Sequence, residues 1–247
     1  ARAVFGLIAH NSSSYPSPHL SGSKSLELAP SSVTLLSDPD SWLNAHLPHL
    51  ILALWQRGHA VRWIHHPSQL ATGDICLILS CGRLLSSKQL EFHIHNLVVH
   101  GSALPRGQGW SPMTWQILEG SNEIPVTLFE ATKKVDAGKI YMQKTVQLDG
   151  SELASQWRVL LAKTTIELCL SWFDCYESMK LCMKSQEGKP SHYPRRRAAD
   201  SAIDPSLSLY DQFNLLRVVD NHRYPAYFNM KGRRYEIQIN SEILQSE

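Results

Sequence analysis

Residues 96–112 read NLVVHGSALPRGQGWSP, in which one histidine, His100, follows an apolar run and precedes a loop holding Gly101, Gly107, Gly109, Pro105 and Pro112. An imidazole titrates near neutral pH and can take or give a proton. The run before it predicts a strand ending at His100, and side-chain alternation puts Asn96, Val98 and His100 on one face. In open parallel sheets ligands bind at the carboxyl edge of the strands, where His100 would stand. The glycines allow close backbone approach and the prolines stiffen the loop, which makes a shaped wall beside a reacting group. Further on, KKVDAGKI sets Asp136 in a tight Ala-Gly turn before another strand, presenting a carboxylate with few degrees of freedom. Taken singly, His100 also reads as a hydrogen-bonded structural histidine, and Asp136 as a turn aspartate stabilising its own backbone.

The elements that would position these groups follow from the rest of the chain. Its 247 residues can bury a full core, as one large α/β domain or as one domain with a small appendage. Residues 9–32 are rich in Ser, Pro, His and Gly without periodicity, so 1–32 reads as a peripheral arm. From there SVTLL, a helix over 41–57 closed by Gly58, AVRWI, ICLIL and LVVH form a βαβα series, which implies a parallel sheet covered on both faces. A helix near 112–119, a strand at 124–130 and a strand from Ile140 come next. Residues 151–187 lack Gly and Pro, and their apolar positions recur at three and four, predicting one long helix or two abutting ones with cysteines and tryptophans mostly in the core. The tail, with a helix-like LSLYDQFNLLRVVDN and AYFNMKGRRYEIQI as two strands around a Lys-Gly turn, reads as a small C-terminal subdomain over 194–247.

Composition narrows the chemistry. The longest apolar runs, such as LILALW at 50–55, fall far short of the ~20 residues of a spanning helix, so no membrane partner is expected. Lys and Arg total 24 against 22 acidic residues, too balanced to suggest a nucleic-acid binder. Cys76, Cys81, Cys169, Cys175 and Cys182 contain no Cys-x-x-Cys pair, which argues against a disulfide framework or zinc ribbon and for a reduced, cytoplasmic protein. The 12 histidines show no His-Glu-x-x-His pattern, so no metal is required.

HGSALPRGQGWSPMTWQILEG followed by IPVTLFEATKKVDAGKIY resembles the formyltransferase family that uses 10-formyltetrahydrofolate. His100, Ser102, Leu104, Pro105, Gly109, Pro112, Trp115, Gly120, Thr127, Asp136, Gly138 and Ile140 match its pattern in order, and the resemblance spans roughly 33–240. It implies an α/β, Rossmann-like formyltransferase fold with a mostly parallel sheet, 33–193 as the catalytic domain, and a small C-terminal helix and β-hairpin subdomain. The stretch LILSCGRLL at 77–85 frames the pterin in this family, implying cofactor contacts at Leu79, Ser80, Cys81, Gly82, Arg83 and Leu84, joined by Val135 and Asp136. One position departs from the pattern. The family's asparagine two residues before the histidine is Val98 here, and Asn96 stands about 6.6 Å further back along a regular strand. For Asn96 to hold the formyl oxygen, the strand must bulge or rotate near Val98; otherwise another group holds it. HNLVVH and GWSP also resemble the branch acting on amino sugars of nucleotide-sugar pathways, particularly those leading toward pseudaminic-acid-like sugars.

The resemblance implies transfer of a formyl group from 10-formyltetrahydrofolate to the primary amine of a nucleotide-linked amino sugar, a UDP-4-amino-4,6-dideoxy sugar. His100 would exchange the amine's proton, Asp136 would orient and charge-stabilise the imidazole, and Asn96 would donate to the formyl oxygen. Ser102, Gly109 and Trp110 are candidate acceptor contacts on the loop, with Ser102 also readable as loop support. Arg196, within the run RRR at 195–197, suits phosphate oxygens, though such a run also reads as a solvated cluster. Arg217 and Tyr224 resemble tail residues that approach ligand in sugar formyltransferases. A methionyl-tRNA formyltransferase-like enzyme and a folate-binding pseudoenzyme are the alternatives. Against tRNA stand the charge balance and a segment after Pro194 that reads as smaller than the C-terminal barrel of tRNA-formylating members. A homodimer is compatible with the resemblance.

Overall fold

The computed structural model describes residues 28–242, so most of the arm expected over 1–32 lies outside the described residues. The aliphatic run Ser32–Leu36 forms β1, which pairs in parallel with β2 (Ala60–Ile64) on one side and β3 (Gly73–Ile78) on the other. The chain thus turns from one side of β1 to the other, and a crevice opens at the carboxyl ends of β1 and β3, where such a reversal leaves room for ligands. β4 (His93–His100) adds in parallel to β3, and β6 (Glu123–Glu130) and β7 (Ile140–Gln147) extend the sheet antiparallel, each to its predecessor. The order is β2-β1-β3-β4-β6-β7, a mostly parallel sheet of the expected Rossmann-like class.

The helix expected over 41–57 is split. Ser41 caps a short 3-10 turn, Trp42–Ala45, and α1 (Leu47–Gln56) starts anew with Pro48 in its first turn, a position where the missing N–H is harmless. The long apolar segment likewise divides into α4 (Ala154–Asp174) and α5 (Tyr176–Cys182) at Cys175. Trp157, Cys169 and Trp172 are buried as expected, whereas Cys175 and Cys182 are exposed. α1 and α4 pack together on one face of the sheet, with Leu50, Leu54, Leu168 and Trp172 over Val33, Leu35 and Leu97. The opposite face carries a smaller cluster of Leu36, Ile64, Leu70, Cys76 and Ile78. Both faces are covered as expected, the second by side chains from the segments around Leu70, Leu85 and Phe92 in place of long helices.

α2 (Ser87–Leu90) lies between β3 and β4, and the two-residue β5 (Gln108–Gly109) and α3 (Pro112–Leu118) lie between β4 and β6. β5 pairs in parallel with β8 (His192–Tyr193), contributed by the segment after α5. The C-terminal part holds α6 (Phe213–Val218) and the hairpin β9–β10 (Ala226–Met230, Arg233–Ile237), joined by Lys231 and Gly232, both with positive φ as a tight hairpin turn requires. Ile203, Leu216, Val219 and Ala226 make a separate small core there. No helix among the described residues is long and apolar enough to cross a membrane.

Candidate active site

A cavity of about 750 Å³ opens at the carboxyl edge of β1, β3 and β4. His100, the last residue of β4 and paired with Thr127 of β6, lines it while remaining only 8% exposed. Its Nε2 lies 2.8 Å from the carbonyl oxygen of Gly107. A carbonyl only accepts, so Nε2 carries a proton, and in the neutral ring Nδ1 then keeps its lone pair. Among the described residues no protein group bonds Nδ1, which makes it the base available to a ligand amine. The loop after β4 is tied down beneath: Thr127 Oγ1 donates to Ser102 O at 2.6 Å and Gln116 Nε2 to Gly101 O at 2.6 Å.

Asp136 lines the same cavity from the turn before β7. Its backbone sits in the left-handed region at φ 49°, its carbonyl accepts from Gln108 and Gln186, and its Oδ2 accepts the Gly109 N–H at 2.8 Å. At Gly138 an added Cβ would overlap the carbonyl oxygen of Glu130, so this turn fits only a glycine there. No hydrogen bond joins Asp136 to His100 among the described residues. The imidazole is oriented by a backbone carbonyl, and the carboxylate's anchoring contact is with the loop.

Asn96 does not take the expected place. β4 pairs without interruption, Asn96 opposite Cys76 and Val98 opposite Ile78 on β3, and Leu97 to His100 opposite Glu130 to Thr127 on β6. With no bulge at Val98, Asn96 stays two residues back, and its Nδ2 donates to the carbonyl of Leu90 at 2.9 Å. Its amide therefore secures the end of α2, while Val98 and Val99 reach the cavity instead.

Leu79, Ser80, Cys81, Gly82, Leu84 and Val135 form one wall of the cavity, as the folate resemblance implies. Arg83 faces an adjoining recess, held by Asp38 Oδ1 at 2.9 Å. Asp38, two residues after β1, is not among the residues the sequence singles out. Its Oδ2 also accepts the Gly82 N–H at 2.8 Å, so the carboxylate at the end of β1 shapes the loop after β3. An aspartate directly after the first parallel strand was the available signal. Burial pushes the Cys81 thiol above its ordinary value, leaving the wall uncharged there.

Basic residues line the cavity as well. Arg195, Arg196 and Arg197 all line the cavity, and among the described residues none of them makes a salt bridge. Arg195 lies 4.7 Å over the Trp110 ring, which is 38% exposed and packs against Gly82. Arg196 donates to Asp200 O at 2.7 Å, yet its buried Nε has no partner. Burial lowers its affinity for the proton, opposed by nearby Asp200. Tyr224 lines the cavity as expected, beside an ion pair of Arg158 with Asp220 at 2.7 Å and another of Arg223 with Asp40 at 3.0 Å.

Two further expectations fail on geometry. Arg217 is 1% exposed and is spent on Glu152, Asn122 and Asn214, tying α6 to the loop before α4. Ser102 is 2% exposed and stands behind the loop against Gly107, away from the cavity. Gly109 does line it, and His192, which the sequence reading did not single out, lies beside Gly109.

Comparison with known proteins gives concordant matches. The family model described as Formyl transferase matches residues 35–164, more than half of the chain. A methionyl-tRNA formyltransferase of Thermodesulfovibrio yellowstonii is 26% identical over 174 residues, 70% of this chain and 56% of that relative, so the chain spans little more than half the relative's length. The structure of methionyl-tRNA formyltransferase from Clostridium thermocellum superposes with a TM-score of 0.71 at 17% identity, covering 85% of this chain and 93% of that one. A 4-N formyltransferase from Francisella tularensis superposes with a TM-score of 0.65 at 16% identity, covering 87% and 99%. At these identities the structural likenesses show the fold; the family match, together with His100 and Asp136 on one cavity, places the chain in the formyl transferase family.

Proposed function

We propose that this protein transfers the formyl group of 10-formyltetrahydrofolate to the primary amine of a nucleotide-linked amino sugar, a UDP-4-amino-4,6-dideoxy sugar. The observation that carries the reading is the one cavity lined by His100 and Asp136 together with a largely apolar loop and three arginines. The apolar side chains Leu79, Leu84 and Val135, with the uncharged Cys81, suit a flat ring system. When bound there, the folate donor would supply the formyl group on a nitrogen able to leave. His100 Nδ1 would take the proton of the attacking amine, and the carboxylate of Asp136 on the same cavity would favour the imidazolium so formed. The proton would then pass from His100 to the departing nitrogen. Arg195, Arg196 and Arg197 would neutralise the acceptor's diphosphate, since guanidinium groups match phosphate oxygens in geometry and charge.

Formylation of a charged tRNA is the second reading, favoured by the tRNA-formylating relative. The two differ in how many phosphates must be neutralised. Arg196→Ala is expected to raise KM for the nucleotide-sugar by about 10-fold or more, the size of one lost charged hydrogen bond, without weakening folate binding. Nucleotide-sugar affinity should fall only shallowly with salt, whereas an RNA engaging many phosphates gives a steep slope. Efficient formylation of methionyl-tRNA with a steep salt dependence, or an unchanged KM in the Arg196 variant, would contradict the sugar reading.

A further inference from the structure

The segment Lys184–Pro194 lies beyond the matched family region and crosses both loops that carry His100 and Asp136. Gln186 Nε2 donates to the carbonyls of Asp136 and Gly138, both at 2.9 Å. Ser191 then takes hold of the loop after β4 at three points. Its N–H donates to Pro105 O at 3.3 Å, its carbonyl accepts the Gln108 N–H at 2.9 Å, and its Oγ accepts the Gly107 N–H at 2.9 Å. β8 continues the hold by pairing with β5, and Tyr193 anchors the far end through Glu119 at 2.7 Å and by stacking on Trp115.

The consequence for His100 lies in the Gly107–Gln108 peptide. In a trans peptide the N–H and the C=O point in opposite directions. Ser191 O draws the N–H of this unit to one side, so its C=O is directed to the other, where it meets His100 Nε2. Gly107 itself has φ 69°, a glycine conformation with wide rotational freedom when nothing restrains it. The Ser191 hydroxyl restrains the adjoining peptide on the N-terminal side. Both peptides flanking Gly107 are thus fixed by one residue.

We infer that Ser191 is a positioning residue for His100, holding the Gly107 carbonyl so that the neutral imidazole carries its proton on Nε2 and offers Nδ1 to the cavity. Its catalytic meaning rests on the formyl-transfer reading, but the tautomer itself does not. The test is ¹⁵N NMR of the histidine side chains in the full chain, with His100 assigned by comparison with His100→Gln. The wild type should show a single Nε2–H form for His100. Ser191→Ala and Ser191→Cys release the Gly107 N–H while the Ser191 backbone carbonyl still holds the Gln108 N–H, so one of the two peptides flanking Gly107 is freed and a second tautomer of His100 should appear beside the Nε2–H form. Ser191→Thr, which retains the hydroxyl, should restore the single form. Where the wild type turns over, Ser191→Ala should lower kcat about 10-fold with KM nearly unchanged; loss of folded protein would lower apparent kcat in the same way, so the tautomer change measured on the folded chain is the readout that separates positioning from unfolding. A single Nε2–H form retained in both the alanine and cysteine variants overturns the inference. A tautomer change in a protein that formylates nothing sustains it and defeats the formyl-transfer reading alone.

Discussion

Replacing His100 with alanine is expected to lower kcat by about 10²–10⁴-fold, the range of a lost general acid–base group, while folate affinity is retained. The separation follows from the geometry. The residues proposed to face the folate, Leu79 to Gly82 and Val135, belong to the loop after β3 and the turn before β7, and no hydrogen bond among the described residues joins them to the imidazole. Among the described residues the imidazole bonds Gly107 O alone, and the loop remains tied by Thr127, Gln116 and Ser191 when that bond is gone. Steady-state kinetics alongside titration with 5-formyltetrahydrofolate measures both quantities. Near-normal turnover in the variant would remove His100 from the reaction.

Asp136→Asn is the second large effect expected, a fall in kcat of about 10²-fold with little change in melting temperature. An asparagine at this position still presents an oxygen to the Gly109 N–H, and the backbone carbonyl still receives Gln108 and Gln186, so the turn and the loop stay in register. What disappears is the negative charge that favours an imidazolium on the same cavity. Asp136→Ala removes the Gly109 contact as well and should lose stability besides activity, by about 1 kcal/mol or more for a charge-assisted bond. The pair of variants thus separates charge from tethering: equal turnover in wild type and Asp136→Asn would leave the carboxylate with a tethering role only.

The framework of the fold was legible because its signals are local. β2 reads directly from AVRWI, β4 from the alternation ending at His100, and the β9–β10 hairpin from its Lys-Gly turn. The helix breaks were less so. Pro48 restarts α1 after a capped 3-10 turn, and Cys175 divides two helices with no Gly or Pro to mark the place. Within the site, a strand end and a tight turn left His100 and Asp136 each also readable as structural, and the family resemblance singled them out; both line the cavity. Arg217 misled because an arginine's partners are set by tertiary contact: Asn122 and Glu152, remote in sequence, bury it completely. Asn96 shares the strand face of His100, yet alternation gives only the face, and Leu90 claims its amide. Asp38 left only its place just after a parallel strand as a signal and Ser191 left none, since each acts through a loop brought to it by the assembled sheet.

The central claim is that this cavity moves a formyl group onto the amine of a nucleotide-linked sugar. The most direct measurement is mass spectrometry of UDP-4-amino-4,6-dideoxy sugars incubated with 10-formyltetrahydrofolate and the protein. The expected result is a gain of one formyl group on the sugar nitrogen, lost in His100→Ala. Binding of both the folate and the sugar without any formylated product, or formylation of methionyl-tRNA in place of the sugars, would contradict it.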